Sequence, residues 1–436
     1  MICDGKVLVQ DTDYELMYYN NLNAGAGSVT VTGINDYTGS TSAKFTIAKA
    51  SQTLSVSVSN SSLTVGETTT LKASVTEGGG ALTYTSGNTS VATVNGTQVT
   101  AKAVGTATIT VKAAETGNYK AASRSVSIKV GLAKTAITSI SNTTGGVKIG
   151  WSKVAGASGY YIYRSTSSSG TYTKIAAVSG GSTVTYTNGT SGTYKVASGK
   201  TYYYKVVPYA GSTTGAYSSA KGIRYLTAGK ISSLINTSDG ITIKWSKVSG
   251  ASGYYIYRGN SKIKTITSVS TVSYTDTAVK SKNGTSYSYY VRPYYKNSSG
   301  TVTLASYQTA KTYRLVATSI SSLKNSSSKK MTVKWSKKSS VTGYQIQYST
   351  SSSFSSGNKT VNVSGASSTS KTISGLTKKK TYYVRVRTYR TVSGTTYYSA
   401  WSSKKECKDF KVTGRGSCDG QPSQEFFGCA PGGARF

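Results

Sequence analysis

Histidine is absent from this chain of 436 residues. Without it, neither a Ser-His-Asp nor a Cys-His nucleophilic site can form, and the commonest metal-ligating side chain is missing. No stretch approaches the roughly 18 apolar residues of a membrane-spanning helix, so no membrane span is expected. The first residues also lack the basic segment and apolar run of a secretory signal, although their pattern indicates that the sequence starts inside a domain.

Cysteine is nearly confined to the end of the chain, where Cys407, Cys418 and Cys429 follow one another at intervals of eleven residues, and Cys3 is the fourth. The long segment between them contains none, so its domains must be stable through apolar cores and not through disulfide bonds. Zinc sites usually contain cysteines about two to four residues apart. The spacing favours a disulfide bond or free thiols, and no metal or other cofactor is expected.

Carboxylates are scarce in residues 132–405, which contain only Asp239 and Asp276. Glycoside hydrolysis needs two carboxylates about 5–10 Å apart, whereas both of these are expected to serve in turns. A second acidic cluster near the start of the chain consists of Asp11, Asp13 and Glu15. Carboxylates at alternate positions can chelate calcium, but a solvated strand edge is the preferred interpretation. No catalytic residue is assigned.

The sequence does contain a threefold internal repeat. The stretches WSKVAGASGYYIYR, WSKVSGASGYYIYR and the looser WSKKSSVTGYQIQY begin at Trp151, Trp245 and Trp335, which are 94 and 90 residues apart. A period this long corresponds to one small domain per repeat and not to one turn of a solenoid. The chain is therefore predicted to be a tandem array of small domains.

The composition predicts strands throughout the array. Thr, Tyr and Val favour pleated strands, Gly, Ser and Asn favour turns, and no helical periodicity longer than about two turns is found. In each repeat an alternating apolar strand ends on the tryptophan, and a later strand opens with a tyrosine, which is Tyr202, Tyr287 or Tyr382. These six aromatic residues are predicted to lie in the cores of an all-β fold.

A tryptophan on one sheet and a tyrosine near the start of a later strand are typical of immunoglobulin-like β-sandwiches. On this pattern the three repeats resemble fibronectin type III domains, in particular those strung together in Gram-positive surface and secreted proteins. The third copy departs where Gln345 and Gln347 replace the equivalents of Tyr161 and Tyr163. We expect both glutamines to face solvent.

Two further modules precede the repeats. The segments Val65-Gly66-Glu67, Ser90–Val94 and Gly105–Val111 make the second module similar to bacterial Ig-like domains of group 2. The first resembles the C-terminal part of a β-grasp-like repeat of bacterial surface proteins. The predicted order is a partial β-grasp-like module, an Ig-like module, three fibronectin type III modules and an irregular tail, at residues 1–50, 51–131, 132–226, 227–315, 316–405 and 406–436.

Positive charge is the other strong signal. The chain has 51 Lys and Arg against 14 Asp and Glu, and residues 132–405 hold 38 basic and 2 acidic side chains. A surface of one sign attracts polyanions through a field screened over roughly 10 Å at 0.1 M salt. A solvated face is the alternative. The best candidate site for a polyanion lies in the third repeat and consists of Lys378, Lys379, Lys380, Arg385, Arg387, Arg390 and the outward-facing Tyr383.

Tyrosine is abundant, with 36 residues, and is interleaved with basic residues in stretches such as TYYYKVVPY and TYYVRVRTYR. Aromatic rings among cations are found on surfaces that bind sugars or single-stranded nucleic acid. Tyrosine is also a good strand former, and alternation turns half of these rings inward. The pattern therefore leaves both interpretations open.

The resemblance and the charge together predict a non-catalytic stalk or adhesion segment of an extracellular or cell-surface protein. It is expected to be a monomeric string without a small-molecule substrate, with little contact across short links such as residues 225–227, and to bind anionic cell-wall polymer or polysaccharide. One alternative is an accessory region, carbohydrate-binding or spacer, of a secreted glycoside hydrolase. Another is a non-specific nucleic-acid binder, although the basic residues are spread over three domains instead of one groove.

Overall fold

The computed structural model of the protein describes residues 1–408, which are almost entirely strands and loops, with one short 3-10 helix. The described chain divides into two compact units. The first comprises Met1–Ile140, Lys148–Thr187 and Tyr202–Ile223, and the second comprises Ser141–Val147, Asn188–Thr201 and the chain from Arg224 onward. The division passes through the first repeat, whereas the second and third repeats belong wholly to the second unit.

The N-terminal segment consists of small sheets in which most side chains are exposed or only partly buried. Its strands are β1 (Ile2–Cys3), β2 (Lys6–Val7), β3 (Tyr14–Tyr19), β4 (Gly25–Gly33), β5 (Ser40–Ile47) and β6 (Ala50–Ser51). The antiparallel sheet β3-β4-β5 pairs Leu16 with Val31 and Tyr18 with Val29. All four side chains remain at least partly exposed. The likeness to part of a β-grasp module stays a prediction.

Residues 51–131 form a two-layered sandwich. Its strands are β7 (Leu54–Val58), β8 (Ser62–Thr64), β9 (Thr68–Val75), β10 (Leu82–Ser86), β11 (Ala92–Asn95), β12 (Gln98–Ala101), β13 (Gly105–Ala113), β14 (Tyr119–Lys120) and β15 (Ala122–Gly131). One sheet has the order β10-β13-β15-β8 and the other β11-β12-β9-β7. Leu71 and Val99 from one sheet meet Ile109 and Ile128 from the other in a buried core. The group 2 assignment within the Ig-like class stays a prediction.

The three repeats have eight strands each. The first contains β16 (Ile137–Thr143), β17 (Gly146–Trp151), β18 (Gly159–Ser165), β19 (Thr173–Ser179), β20 (Thr185–Gly189), β21 (Thr201–Ala210), β22 (Thr213–Thr214) and β23 (Lys221–Arg224). The second contains β24 (Ile231–Asn236), β25 (Ile241–Trp245), β26 (Gly253–Arg258), β27 (Ser261–Ile266), β28 (Ser273–Asp276), the 3-10 helix Thr277–Val279, β29 (Ser286–Lys296), β30 (Val302–Leu304) and β31 (Ala310–Tyr313). The third contains β32 (Ile320–Ser327), β33 (Lys330–Trp335), β34 (Gly343–Ser349), β35 (Lys359–Ser364), β36 (Ser370–Ile373), β37 (Thr381–Val392), β38 (Thr395–Tyr398) and β39 (Lys405–Lys408).

The strand order is the same in every repeat. In the third, β32-β33-β36 make a three-stranded sheet, and β35-β34-β37-β38 make a larger one that β39 completes by pairing with β37. The second has β24-β25-β28 opposite β27-β26-β29-β30 with β31 on β29, and the first repeats this with β16 to β23. Two antiparallel sheets around one apolar core form a β-sandwich. The predicted all-β array of tandem immunoglobulin-like sandwiches is confirmed.

An aromatic pair lies at the centre of each core. Trp151, Trp245 and Trp335 each end a strand and are 2–3% exposed. The first tyrosine of the following strand meets each indole ring, at centroid distances of 5.3, 5.4 and 5.3 Å, in the pairs Trp151–Tyr160, Trp245–Tyr254 and Trp335–Tyr344. Each of these tyrosine hydroxyls accepts from a backbone N–H six residues upstream and donates to a loop carbonyl. The ring therefore fills the core while its hydroxyl fixes two loops.

The tyrosines predicted to open a strand differ in burial. Tyr202 is 5% and Tyr382 is 9% exposed, whereas Tyr287 is only partly buried at the border of its core. The Tyr382 hydroxyl accepts from the Thr377 N–H at 2.9 Å, which closes the corner before its strand.

The expected start of the irregular tail at residue 406 needs correction. Strand β39 continues to Lys408, and Cys407 is a buried member of the core of the third repeat. Its small apolar side chain points inward between the exposed Glu406 and Lys408, so the alternation of a strand persists there. The rest of the predicted irregular tail, with the disulfide bond or free thiols expected for Cys418 and Cys429, lies outside the described residues.

Candidate functional site

The two carboxylates of residues 132–405 have separate structural duties. Asp276 is 2% exposed and accepts from Arg258 Nη1 at 2.8 and 3.1 Å, from the Tyr289 hydroxyl at 2.8 Å and from the Ala278 N–H at 3.2 Å. Burial, together with the hydrogen bond to Asp276, raises the pKa of Tyr289 well above its usual value. Asp239 is exposed and pairs with Lys280 at 3.2 Å. The pair is not arranged as an acid and a base facing one substrate.

The acidic cluster near the start of the chain serves a turn. Asp13 Oδ2 accepts from the Val9 N–H at 2.8 Å, and Asp11 has a left-handed φ of 62°. Within residues 1–408 there is no group of three or more Cys, Asp or Glu side chains placed to hold a metal ion. The same residues contain no helix of the length and apolar character that a membrane crossing requires.

The predicted cationic cluster of the third repeat is distributed along one strand. Lys378, Lys379 and Lys380 are exposed in the turn that precedes β37. Arg390 lies near the other end of the same strand. A strand rises about 3.3 Å per residue, so the backbone of Lys380 is roughly 33 Å from that of Arg390. The structure therefore separates these side chains, which cannot contact one compact ligand together.

Arg385 and Arg387 occupy the middle of this strand in a stack of aromatic rings. The Arg385 guanidinium carbon lies 4.1 Å from the ring centroid of Phe354 and 4.7 Å from that of Trp401. The Arg387 guanidinium lies 4.3 Å from the Trp401 ring and 3.8 Å from that of Tyr398. Trp401 thus lies between two cations, and partial burial lowers the pKa of both guanidinium groups. Their charges are largely engaged within the repeat.

The glutamines of the third repeat bind these arginines. Arg387 donates to Gln345 Oε1 at 2.8 and 2.6 Å, and Arg385 donates to Gln347 Oε1 at 2.7 Å. Gln345 is only 9% exposed, so its expected position in solvent is wrong, while Gln347 is partly buried. The physical reason is that the rings and guanidinium groups of the neighbouring strands cover this sheet face. Glutamine supplies the carbonyl oxygen that a stacked arginine needs.

The remaining predicted site residue, Tyr383, is also engaged. Lys404 Nζ lies 5.3 Å from its ring centroid. In the other repeats, outward tyrosines stack on one another, with centroid distances of 4.4 Å for Tyr161–Tyr209 and 3.8 Å for Tyr290–Tyr307. These rings are in contact with their own neighbours, although Tyr307 remains 42% exposed.

The second unit contains a junction between the second and third repeats that the sequence did not predict. Asn236 Nδ2 donates to the Tyr313 carbonyl of its own repeat at 3.0 Å and to the Tyr398 carbonyl of the next repeat at 2.9 Å. Asn283 Nδ2 donates to the Ser339 carbonyl at 2.8 Å. Arg390 donates to the Gly284 carbonyl at 3.1 Å and lies 4.5 Å from the Tyr313 ring centroid. The expectation of little contact across short links is therefore wrong here.

Part of the first repeat lies in the second unit and contacts the second repeat through matching positions. Asn142, which like Asn236 precedes its tryptophan by nine residues, donates to the carbonyls of Arg224 at 3.0 Å and Leu304 at 3.2 Å. Arg224 lies 4.4 Å from the Tyr295 ring centroid. Arg224 occupies the position in the first repeat that Tyr313 occupies in the second, and Tyr295 occupies the position in the second repeat that Arg390 occupies in the third. The same two positions therefore form a cation–π pair at both junctions, with the cation and the ring exchanged. The two junctions thus share an asparagine that bonds a carbonyl of the next repeat and a cation–π pair at matching positions.

Asn142 and Asn236 were missed by the sequence reasoning, although their common distance from the tryptophans was visible. An exposed turn asparagine has the same appearance in a sequence as one that joins two domains. Only the carbonyl partners in the next repeat distinguish the two roles.

Comparison with known proteins bears on the third repeat. Residues 318–405 match the family model of the fibronectin type III domain. A fibronectin type III domain is therefore present there. Among solved structures, the chain is similar to the crystal structure of chicken CNTN1 FN1-FN3 domains, with a TM-score of 0.24 and 20% identity, covering 64% of this chain and 97% of that chain. No curated protein matches the sequence.

Proposed function

We propose that the chain is a non-catalytic spacer and adhesion segment of a secreted or cell-surface protein. The observation that carries the spacer role is the repeated junction, in which the same asparagine and the same cation–π positions join the first repeat to the second and the second to the third. A string of domains that served only as a flexible linker would not need matched contacts at each step. Fibronectin type III domains with fixed junctions are suited to hold a binding surface at a set distance.

The adhesion role is proposed from charge. Residues 132–405 hold 38 basic and 2 acidic side chains, and most of the lysines are exposed. A field of this kind favours an anionic cell-wall polymer or polysaccharide. The extracellular or cell-surface location and the bacterial source of the parent protein are part of the same proposal.

Binding should be electrostatic and strongest in the third repeat. Its residues 316–405 include 16 basic and no acidic side chains, against 10 and 0 in the first repeat and 12 and 2 in the second. Affinity for an anionic wall polymer should fall steeply as salt rises, because each contact releases counterions. The measurement is a salt titration of binding by each repeat. Binding to a neutral glycan that does not change with salt would contradict the adhesion proposal and favour a carbohydrate-binding accessory region of a hydrolase.

The Arg390–Tyr313 contact offers a test of the spacer role. Replacing Arg390 by Met or Tyr313 by Leu should each loosen the second junction, and a double-mutant cycle should give a coupling of about 1 kcal/mol, since a partly desolvated cation–π pair contributes about 0.5–2 kcal/mol. The readout is the unfolding free energy of the third repeat in the full chain.

The control for this cycle is the pair Lys262–Tyr255, in which Nζ lies 4.6 Å from the ring centroid inside the second repeat. Its loss should leave the junction unchanged. A coupling near zero between Arg390 and Tyr313 would remove the support for a specific junction.

A nucleic-acid binder remains the second candidate, and the overall charge favours it. Against it, the outward rings described above already contact one another or a cation, so that a base would have to compete with these contacts or use the remaining exposed ring faces. Binding to single-stranded DNA that was tighter than binding to a wall polymer of equal charge would support this candidate instead.

A further inference from the structure

One loop has different roles in the three repeats. It consists of the three residues that precede strands β21, β29 and β37, which are Ser198-Gly199-Lys200, Asn283-Gly284-Thr285 and Lys378-Lys379-Lys380. In the first two repeats this loop touches the next repeat. Ser198 Oγ donates to the Ser249 carbonyl at 2.9 Å, and Asn283 Nδ2 donates to that of Ser339 at 2.8 Å.

The glycine in the middle of this loop is required by the junction. Gly199 and Gly284 have left-handed φ angles of 85° and 77°. A Cβ at Gly199 would lie 3.2 Å from Gly250 Cα, and one at Gly284 would collide with the side chain of Ser340. The third repeat has Lys379 at this place, with a φ of 59°. A lysine in that conformation carries a backbone cost that glycine would avoid, and its bulk does not allow the close approach seen at the other two loops.

A second lysine turn lies beside this loop. The Leu376 N–H donates to the Lys329 carbonyl at 3.1 Å, which joins the turn between β32 and β33 to the segment leading into Lys378. Lys329 and Lys330 are exposed, and Lys329 also has a left-handed φ, of 60°. One end of the third repeat therefore presents five exposed lysines, and Lys408 lies opposite Thr381 at the same end. We call the set Lys329, Lys330, Lys378, Lys379 and Lys380 the lysine tip.

Within residues 1–408, no carboxylate forms an ion pair with the lysine tip. The single acidic residue of the third repeat up to Lys408 is Glu406, which is paired in the sheet with Tyr383 and not with the turn. None of the five lysines has an ion pair among the described residues. The arginines of the same repeat, by contrast, are stacked on rings or bound to carbonyls. What distinguishes the lysine tip from the other exposed lysines of the repeat is that two adjacent turns bring five cations together.

We propose that the lysine tip is the polyanion-binding site of the array, and that its ligand is a flexible, linear polymer whose charges are phosphodiester groups on polyol units. This proposal rests on the adhesion role proposed above. Lysine binds a phosphodiester as a mobile point charge, which suits a flexible polymer, whereas the fork of arginine fixes a bidentate geometry with carboxylate or phosphate, and lysine is the only cation in both turns. The aromatic rings at the start of β37 are unsuited to stack bases, because Tyr382 is buried and Tyr383 lies under Lys404.

The test compares two variants of the full chain that lose equal charge. The tip variant replaces the five lysines of the lysine tip by Gln. The control variant replaces five other exposed lysines of the same repeat by Gln, namely Lys324, Lys334, Lys337, Lys359 and Lys371. The probe is poly(glycerol phosphate), titrated at about 50 mM and about 200 mM salt, a range over which phosphate contacts change affinity strongly.

The tip variant should bind at least about tenfold more weakly at the lower salt, and its slope of log K against log salt should be smaller by up to about 3.5, since each of five contacts to a flexible strand contributes about 0.7. The control variant should lose less than about threefold. Equal losses in both variants would overturn the lysine tip as the site while leaving the general adhesion role in place. No binding by the unaltered chain would overturn the adhesion role itself.

Two further measurements sharpen the result. Lys379→Gly removes one charge and relieves the left-handed backbone, so it should weaken binding while raising the unfolding temperature of the third repeat by a few degrees. A fall in both quantities would contradict the assignment of Lys379 to binding at the expense of stability. Single-stranded DNA of equal charge serves as the comparison ligand, and tighter binding to it through the same five lysines would overturn the choice of a polyol polymer.

Discussion

Trp335→Ala is expected to lower the unfolding free energy of the third repeat by roughly 3–5 kcal/mol, the usual loss for a large aromatic side chain removed from a core. Trp335 is 2% exposed and contacts Tyr344 at a centroid distance of 5.3 Å. Its loss leaves a cavity between the two sheets that the surrounding strands can fill only in part. The measurement is native-state hydrogen exchange along β34 and β37, which should lose protection while the strands of residues 51–131 keep theirs.

Trp401→Ala in the same repeat is the matched control. Trp401 is partly exposed and contributes through its contacts with Arg385 and Arg387, so its loss should cost less, about 1–2 kcal/mol for two partly desolvated cation–π contacts. If Trp335→Ala cost less than about 1 kcal/mol, or no more than Trp401→Ala, the assignment of Trp335 to the centre of the core would be wrong.

The sandwich architecture could be predicted because its determinants are local. The strand that ends on Trp245 reads Ile241, Ile243, Trp245 at period two, and the structure buries all three. The residues on the buried face of a strand occupy alternate positions in the sequence, so an apolar residue at every second position predicts that face. The threefold repetition of this pattern then fixed the number of these domains without any knowledge of their contacts.

The distribution of charge could not be predicted in the same way. Arg314 counts as one of the 38 basic residues of the array, yet it is 1% exposed, and its guanidinium donates to the carbonyls of Thr237 and Gly240, both at 2.9 Å. Burial lowers its pKa. Nothing in the neighbouring residues distinguishes it from an exposed arginine, because these acceptors and the Lys280 carbonyl, to which it also donates, come from loops that are distant in sequence.

In the candidate site, too, the exposure of basic side chains could not be predicted, even for residues close together in the chain. The sequence placed Lys378 and Arg387 in one cluster because they are near in the chain and both basic. The structure leaves the lysine exposed and holds the arginine against Tyr398 and Trp401. Alternation predicts which face of a sheet a side chain lies on, but not whether the side chains of adjacent strands cover it. That depends on pairing between β37 and strands that are distant in sequence.

Arg258→Ala should destabilise the second repeat strongly, by about 3–5 kcal/mol of unfolding free energy. The reason is the carboxylate that it leaves behind. Asp276 is 2% exposed and would lose its only ion-pair partner among the described residues, while the Tyr289 hydroxyl and the Ala278 N–H alone would remain to stabilise a buried charge. Thermal and denaturant unfolding of the second repeat, followed in the full chain by hydrogen exchange, measures the loss.

The first repeat supplies the control. It has Arg164 and Asn188 at the matching positions, and Asn188 is also 2% exposed, so a neutral amide is tolerated in this fold. Asp276→Asn should therefore cost less, about 1 kcal/mol for a hydrogen bond made less favourable. Arg258→Ala made in the Asp276→Asn background should cost much less than in the unaltered chain, because no buried charge is then left without a partner. Equal costs in the two backgrounds would mean that Arg258 acts by covering the core with its aliphatic stem and not by neutralising Asp276.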